Sequence, residues 1–196
     1  MQEHAALIAF ADALLAEMNK HDVIETASGK ASLLRIYRDT RFSKEKSPYQ
    51  TRWGIFFRRA EKFRRGSYYL HIEPGNSFAE GGFWGPEPHD LKRIRDEFAY
   101  DAQPFRKITS AKAFRETFGT LQGEQVKTAP KNFSKGDPAI DLIRHKQFLL
   151  VRNFSDKEVL SGNFLKEANA TFKKMRPFLD YMSEVLTTDA NGVSIL

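Results

Sequence analysis

No cysteine occurs among the 196 residues, so disulfides, thiolate nucleophiles and Cys-ligated zinc are excluded from the outset. No uninterrupted apolar run approaches the roughly 20 residues that a membrane-spanning helix needs. The opening Met1-Gln2-Glu3-His4 shows no basic region ahead of an apolar core, and no signal peptide is expected. A glycine-rich phosphate-binding motif and a Ser-His-Asp signature are both missing. These absences predict a soluble, cytoplasmic protein without membrane association. What is present predicts a folded chain: 41% of residues are hydrophobic and 29% charged, far from the composition of disorder. Trp is scarce at two residues, but Phe is abundant at seventeen, so the core should be rich in phenyl rings. The length suits one domain, residues 1–196, with room for a substantial core.

Charge is unevenly spread. Between Arg35 and Arg65 lie eleven Lys or Arg and three acids, a local balance of +8 against +6 for the whole chain. Such a stretch attracts and steers anions, or simply forms a solvated basic face.

The pattern along the chain predicts an α+β fold. Residues 3–20 form an amphipathic helix with Leu7, Ala11, Leu14 and Met18 on its buried stripe. Ser28-Gly29 marks a connection. Five segments then read as strands of a mostly antiparallel sheet: 32–37, 52–59, 67–73, 78–84 and 147–154. Helices are expected over 90–100, with Leu91, Ile94 and Phe98 inward, near 110–118, and over 138–145, where Asp137 caps and Pro138 opens. Ser155-Asp156-Lys157-Glu158 has capping-box spacing. A long C-terminal helix over 163–186 carries a seam of Leu165, Ala168, Phe172, Met175, Leu179, Met182 and Leu186. Pro177 should bend or break it. The seam belongs to the core or to a dimer interface, giving a monomer or a homodimer.

Two segments could carry chemistry. Side chains alternate along a strand, so Leu34 and Ile36 should enter the core while Arg35 and Tyr37 face the other way. By the same rule Tyr69, His71 and Glu73 share the face opposite Leu70 and Ile72. Arg38, Asp39 and Arg41 follow at the strand end, with Lys44, Lys46 and Tyr49 beyond. The guanidinium and ammonium groups suit a phosphate or carboxylate. Asp39, His71 and Glu73 suit general acid/base work. Tyr37, Tyr49, Tyr69 and Trp84 suit stacking on a base or sugar. A metal bound by Asp39, His71 and Glu73 lacks supporting His-rich spacing, so no metal is expected. The bland reading of the Arg and Asp residues is a knot of structural salt bridges. Pro74-Gly75-Asn76 reads on its own as a turn.

At these residues the chain resembles a widespread family of conserved hypothetical proteins from bacteria and some fungi. The likeness rests on Arg35-Ile36-Tyr37-Arg38-Asp39-x-Arg41-Phe42-Ser43-Lys44-x-Lys46-x-Pro48-Tyr49 and on Tyr68-Tyr69-Leu70-His71-Ile72-Glu73-Pro74-Gly75. Later landmarks are Trp84-Gly85-Pro86-Glu87-Pro88, Leu91 through Arg95, and Asp137-Pro138-Ala139-Ile140. It spans about residues 5–187. The chain departs from the pattern at its start, where relatives carry a further helix with an Asn-x-Arg-x-Trp-Phe motif. It departs also at Gln50 and Arg52, in place of Lys and a polar residue. The resemblance implies a shared fold and site and implies no reaction or cofactor.

The expected function is binding of a phosphate-bearing anion, either a nucleotide or a nucleic-acid segment, by the basic loop beside the His/Glu strand. The alternative is a hydrolase or transferase acting on an anionic substrate with Asp39, His71 and Glu73 as acid/base groups. A second alternative is an interaction module that dimerises through the C-terminal helix.

Overall fold

A computed structural model describes residues 2–35, 52–60, 64–189 and 192–195. The chain divides into two compact units. The first comprises Met1–Arg59, Tyr68–Glu80 and Arg152–Lys173, the second Ala60–Ser67, Gly81–Val151 and Lys174–Leu196. Helices combine with an antiparallel sheet of order β1-β2-β3-β4, namely Trp53–Arg58, Ser67–Ile72, Ser77–Phe83 and Phe148–Phe154. Strands β3 and β4 each run from one unit into the other, so neither unit is a continuous piece of chain. No helix among the described residues is long and apolar enough to cross a membrane.

In the first unit, α1 (Gln2–Met18) buries Ala11, Leu14 and Met18, three members of the expected stripe. Ser28-Gly29 is more than a connection. Ser28 caps a short helix, α2 (Gly29–Ser32), by accepting from the Ala31 amide at 3.1 Å. Gly29 is required there by close approach, because a Cβ would lie 2.4 Å from the Asp12 amide nitrogen. Its own N–H donates to Asp12 Oδ1 at 2.5 Å.

That local helix overturns the start of the predicted strand over 32–37. Ser32 closes α2 through its hydroxyl to the Gly29 carbonyl at 2.6 Å, and of the segment's described residues only Leu33 bridges to β1, opposite Ile55. The Leu34 amide donates to the Gly54 carbonyl at 2.9 Å. The sheet therefore has four described strands rather than about five, and the remainder of the predicted strand lies outside the described residues. The outer edge of β1 is also met by Ile24, bridged to Arg59. Covering an edge strand in this way blocks pairing with other chains.

The inner face of β1 and β2 is apolar and fully buried at Ile55, Phe57, Tyr68 and Leu70. Tyr68 tilts against Phe172, and Phe10 stacks on Phe164. Ser155 forms the predicted capping box with Glu158 at the head of α7 (Asp156–Val159).

The second unit holds α3 (Pro88–Tyr100), α4 (Gln103–Ser110), α5 (Lys112–Phe118) and α6 (Ile140–Ile143). Helix α4 escaped the sequence pattern. On α3 the buried residues are Asp90, Ile94 and Phe98; Asp90 takes the place predicted for Leu91 because Arg65 pairs with it. Asp137 accepts from the Ala139 amide at 2.8 Å, one turn ahead of α6, so the helix starts later than residue 138. The core is phenyl-rich: Phe105 lies 4.8 Å from Phe98 and 5.9 Å from Phe178. Gly82 brings β3 against β4.

The last helix, α8 (Phe164–Thr187), runs uninterrupted past Pro177, so the break allowed for at that residue does not occur. Ala168, Phe172, Met175, Leu179, Met182 and Leu186 are all buried within the chain. Leu165, the first member of the expected seam, is half-buried; the other six pack inside the chain.

Candidate functional site

Strand β2 presents its odd-numbered residues away from the buried Tyr68 and Leu70, as alternation requires. Those residues join hands. Tyr69 Oη lies 2.9 Å from His71 Nδ1, and His71 Nε2 lies 3.0 Å from Glu73 Oε2. Two alternate residues of β2 and the residue just past its end thus form an unbroken hydrogen-bonded row. The ring of Phe78 on β3 stacks against His71, with centroids 4.7 Å apart and planes 10° from parallel. His71 is only 2% exposed, whereas Tyr69 and Glu73 are half-buried at the two ends of the row.

The turn that follows fixes the carboxylate. Pro74 and Gly75 occupy the two central positions, Gly75 has φ 74°, and the Asn76 amide donates to the Glu73 carbonyl at 3.0 Å. This is the Pro-Gly arrangement of a type II turn. The Asn76 side-chain amide donates to Glu73 Oε2 at 2.8 Å. Ser77 adds its hydroxyl to the Glu73 carbonyl at 2.8 Å and accepts from the Glu73 amide at 3.0 Å.

Donor and acceptor roles follow from the ends of the row. An ionised Glu73 only accepts, so Nε2 carries a proton and donates it. In the neutral imidazole Nδ1 then accepts from the Tyr69 hydroxyl. The His71 hydrogen bond, aided by Asn76, holds the Glu73 carboxyl below the usual carboxylate range. Burial pushes the Tyr69 phenol up, against the opposing charge of Arg52. Arg52 therefore acts on both ends of the row. Gly54 on the neighbouring strand makes room for the phenol: a Cβ there would lie 3.0 Å from Tyr69 Oη and 3.0 Å from Leu34 Cδ1.

That last contact reverses the predicted parity of the preceding segment. Leu34, expected in the core, is 49% exposed and sits at Gly54 beside the Tyr69 hydroxyl. A strand through residues 32–37 would send Leu34 inward; the α2 turn, ending at Ser32, shifts the phase. Arg35 is exposed. Tyr37, Arg38, Asp39, Arg41, Lys44, Lys46 and Tyr49 lie outside the described residues. Trp84 lies just beyond β3 in the second unit, half-buried. Among the described residues no group of three His, Asp or Glu is placed to hold a metal ion.

Part of the basic stretch is spent internally. Arg59 donates through Nε to Asp22 Oδ2 at 2.7 Å with both side chains fully buried, and Tyr68 Oη donates to the same oxygen at 2.6 Å. Burial alone would raise the Asp22 carboxyl, but Arg59 and Tyr68 outweigh it and hold it low. Arg65 pairs with Asp90, and Arg64 lies 3.9 Å from Asp180. The local +8 overstates the charge open to a ligand. Sequence reasoning missed Asn76, Phe78 and Gly54 as parts of the site. The alternation that placed Tyr69 and His71 on one face also placed Phe78 there, had it been extended across the hairpin.

No curated protein and no solved structure matches the chain. Residues 2–181 match the family model described as conserved hypothetical protein (DUF2461), and the chain belongs to that family.

Proposed function

We propose that this protein is an acid/base catalyst acting on an anionic, phosphate-bearing substrate, as a hydrolase or a transferase. The observation that carries the reading is the row Tyr69–His71–Glu73, in which an imidazole is held between a phenol and a carboxylate. A phenol whose pKa is raised by burial is a poor base by itself. Beside His71 it need not be one. As Tyr69 Oη takes a proton from a substrate hydroxyl or a water, its own proton passes to Nδ1, and Glu73 stabilises the imidazolium. Tyr69 is the group that reaches the substrate, since His71 is buried. Arg52 and the basic residues of the preceding segment supply the charge for the anion, and Asp39 remains a second acid/base candidate there.

Binding without reaction, to a nucleotide or a nucleic-acid segment, uses the same cations and is the competing reading. It gives no role to the proton row. Phosphate release from p-nitrophenyl phosphate and from nucleoside mono-, di- and triphosphates, measured for the wild type and for His71→Gln, separates them. Turnover that falls about 10²-fold or more in the variant supports catalysis. Nucleotide or oligonucleotide binding that weakens steeply with salt, with no turnover of any probe, replaces it by the binding reading.

A further inference from the structure

We infer that the second unit carries a separate site for a small organic anion, a carboxylate or phosphate on a flat or aliphatic body, in the cleft between α4, α5 and the segment leading through α6 to His145. The cleft measures about 660 Å³, a volume in the range of small-molecule sites.

Its floor is apolar. Phe105 is fully buried and Phe114 nearly so, and Leu142 lies beside them. Its rim is cationic. Arg106 is already matched, giving two hydrogen bonds to Asp141 at 2.6 and 3.0 Å. The Arg115 side chain makes no hydrogen bond or ion pair among the described residues, and the residue is exposed. Arg144 spends Nε and Nη2 on the Val126 and Lys127 carbonyls, both at 2.8 Å, and meets no carboxylate among the described residues. Three guanidinium groups thus face one acid.

The polar wall is built. His145, 4% exposed, lies 2.9 Å from the Gln125 amide nitrogen through Nε2 and 3.1 Å from the Gln147 carbonyl through Nδ1. Only one tautomer serves both: Nδ1 donates to the carbonyl and Nε2 accepts from the amide. Burial favours that neutral imidazole by lowering its pKa. Gln125 is thereby oriented, and its carbonyl oxygen and second N–H have no partner among the described residues. The wall is clamped from behind by Arg95, which donates to the Ile143 carbonyl at 2.8 Å and the His145 carbonyl at 3.0 Å. An amide oriented by His145, two guanidinium groups without acids among the described residues and a phenyl floor suit an anion that carries an apolar body.

Benzoate, phenylphosphate and inorganic phosphate are the probes, titrated into the full chain while the imidazole signals of His145 are followed by NMR. Benzoate or phenylphosphate is expected to move His145 saturably. Affinity should fall at least about tenfold in Arg115→Ala, an exposed position, and in Gln125→Ala. It should be unchanged in His71→Ala. Preference between the two aromatic probes tells carboxylate from phosphate. No movement of His145 up to about 10 mM probe, equal affinity for inorganic phosphate, or full affinity in Arg115→Ala overturns the inference. Loss of binding in His71→Ala also overturns it, by assigning the anion to the β2 face, whereas the phosphate-release assay on His71→Gln tests that first site independently.

Discussion

Arg59 Nε and Asp22 Oδ2 stand 2.7 Å apart with neither side chain reaching solvent, and the hydroxyl of Tyr68 completes the carboxylate. A charge pair so placed contributes little net stability compared with a hydrophobic pair, yet breaking it strands an ion. Asp22→Asn should cost about 3–5 kcal/mol in urea unfolding, whereas Asp22→Leu with Arg59→Met should recover most of the loss. The pair also sets a pH dependence. The folded pKa of Asp22 lies below its unfolded value, so its contribution is fully present above the unfolded value near about 3.9. It is lost as pH falls through the lower, folded value. An unfolding midpoint of Asp22→Asn that depends on pH below about 4 as steeply as the wild type's would contradict this.

Gly82 has φ 143°, and a Cβ on it would lie 2.1 Å from the Phe148 carbonyl oxygen. Backbone blocks backbone there, with no flexible side chain to yield. Gly82→Ala should therefore destabilise by about 3 kcal/mol or more, read as a lowered thermal midpoint. By contrast Gly75→Ala meets nothing within 4 Å and should suffer only the cost of its positive φ, about 1 kcal/mol.

The elements most legible in the sequence were those whose local signal and tertiary role agree. The α8 seam, the Ser155 capping box and the outward face of β2 are examples. Where the two diverge, sequence reading lost the phase. Leu33 and Leu34 look like the start of a strand, but Ser28 and Gly29 wind the chain into α2 first, because Gly29 alone permits the approach to Asp12. Arg59 looked like part of a basic surface; its partner Asp22 is 37 residues away, and nothing local announces the pairing. In the site, His71 and Glu73 followed from period-two alternation. Asn76 did not, since its role depends on the turn folding its amide back onto Glu73.

Glu73 is the counter-charge of the proton row, so Glu73→Gln separates proton handling from anion holding. The amide still accepts from Nε2 but cannot stabilise an imidazolium. Under the acid/base reading kcat should fall about 10²-fold or more. KM for an anionic substrate should hold or drop, since one negative charge is removed from its neighbourhood. A variant with unchanged kcat would show that the carboxylate only braces the hairpin.

Gly54 offers a test of the row that substitutes none of its members. A methyl group at that position would press on Tyr69 Oη and on Leu34 Cδ1, each 3.0 Å from the Cβ. Leu34 is exposed and can turn aside. Tyr69 is half-buried and tied to His71, so its hydroxyl must shift by a few tenths of an ångström to accommodate the methyl. Gly54→Ala should cost only about 1 kcal/mol in stability, yet the Tyr69–His71 hydrogen bond should lengthen, visible as a changed imidazole tautomer balance by nitrogen NMR. If that hydrogen bond relays a proton, activity falls out of proportion to stability. Leu34→Ala combined with Gly54→Ala should leave the row disturbed, because removing the leucine side chain does not relieve the contact between the methyl and the phenol. A tautomer balance identical to the wild type in both variants would place the phenol outside the relay and leave His71 and Glu73 as an isolated pair.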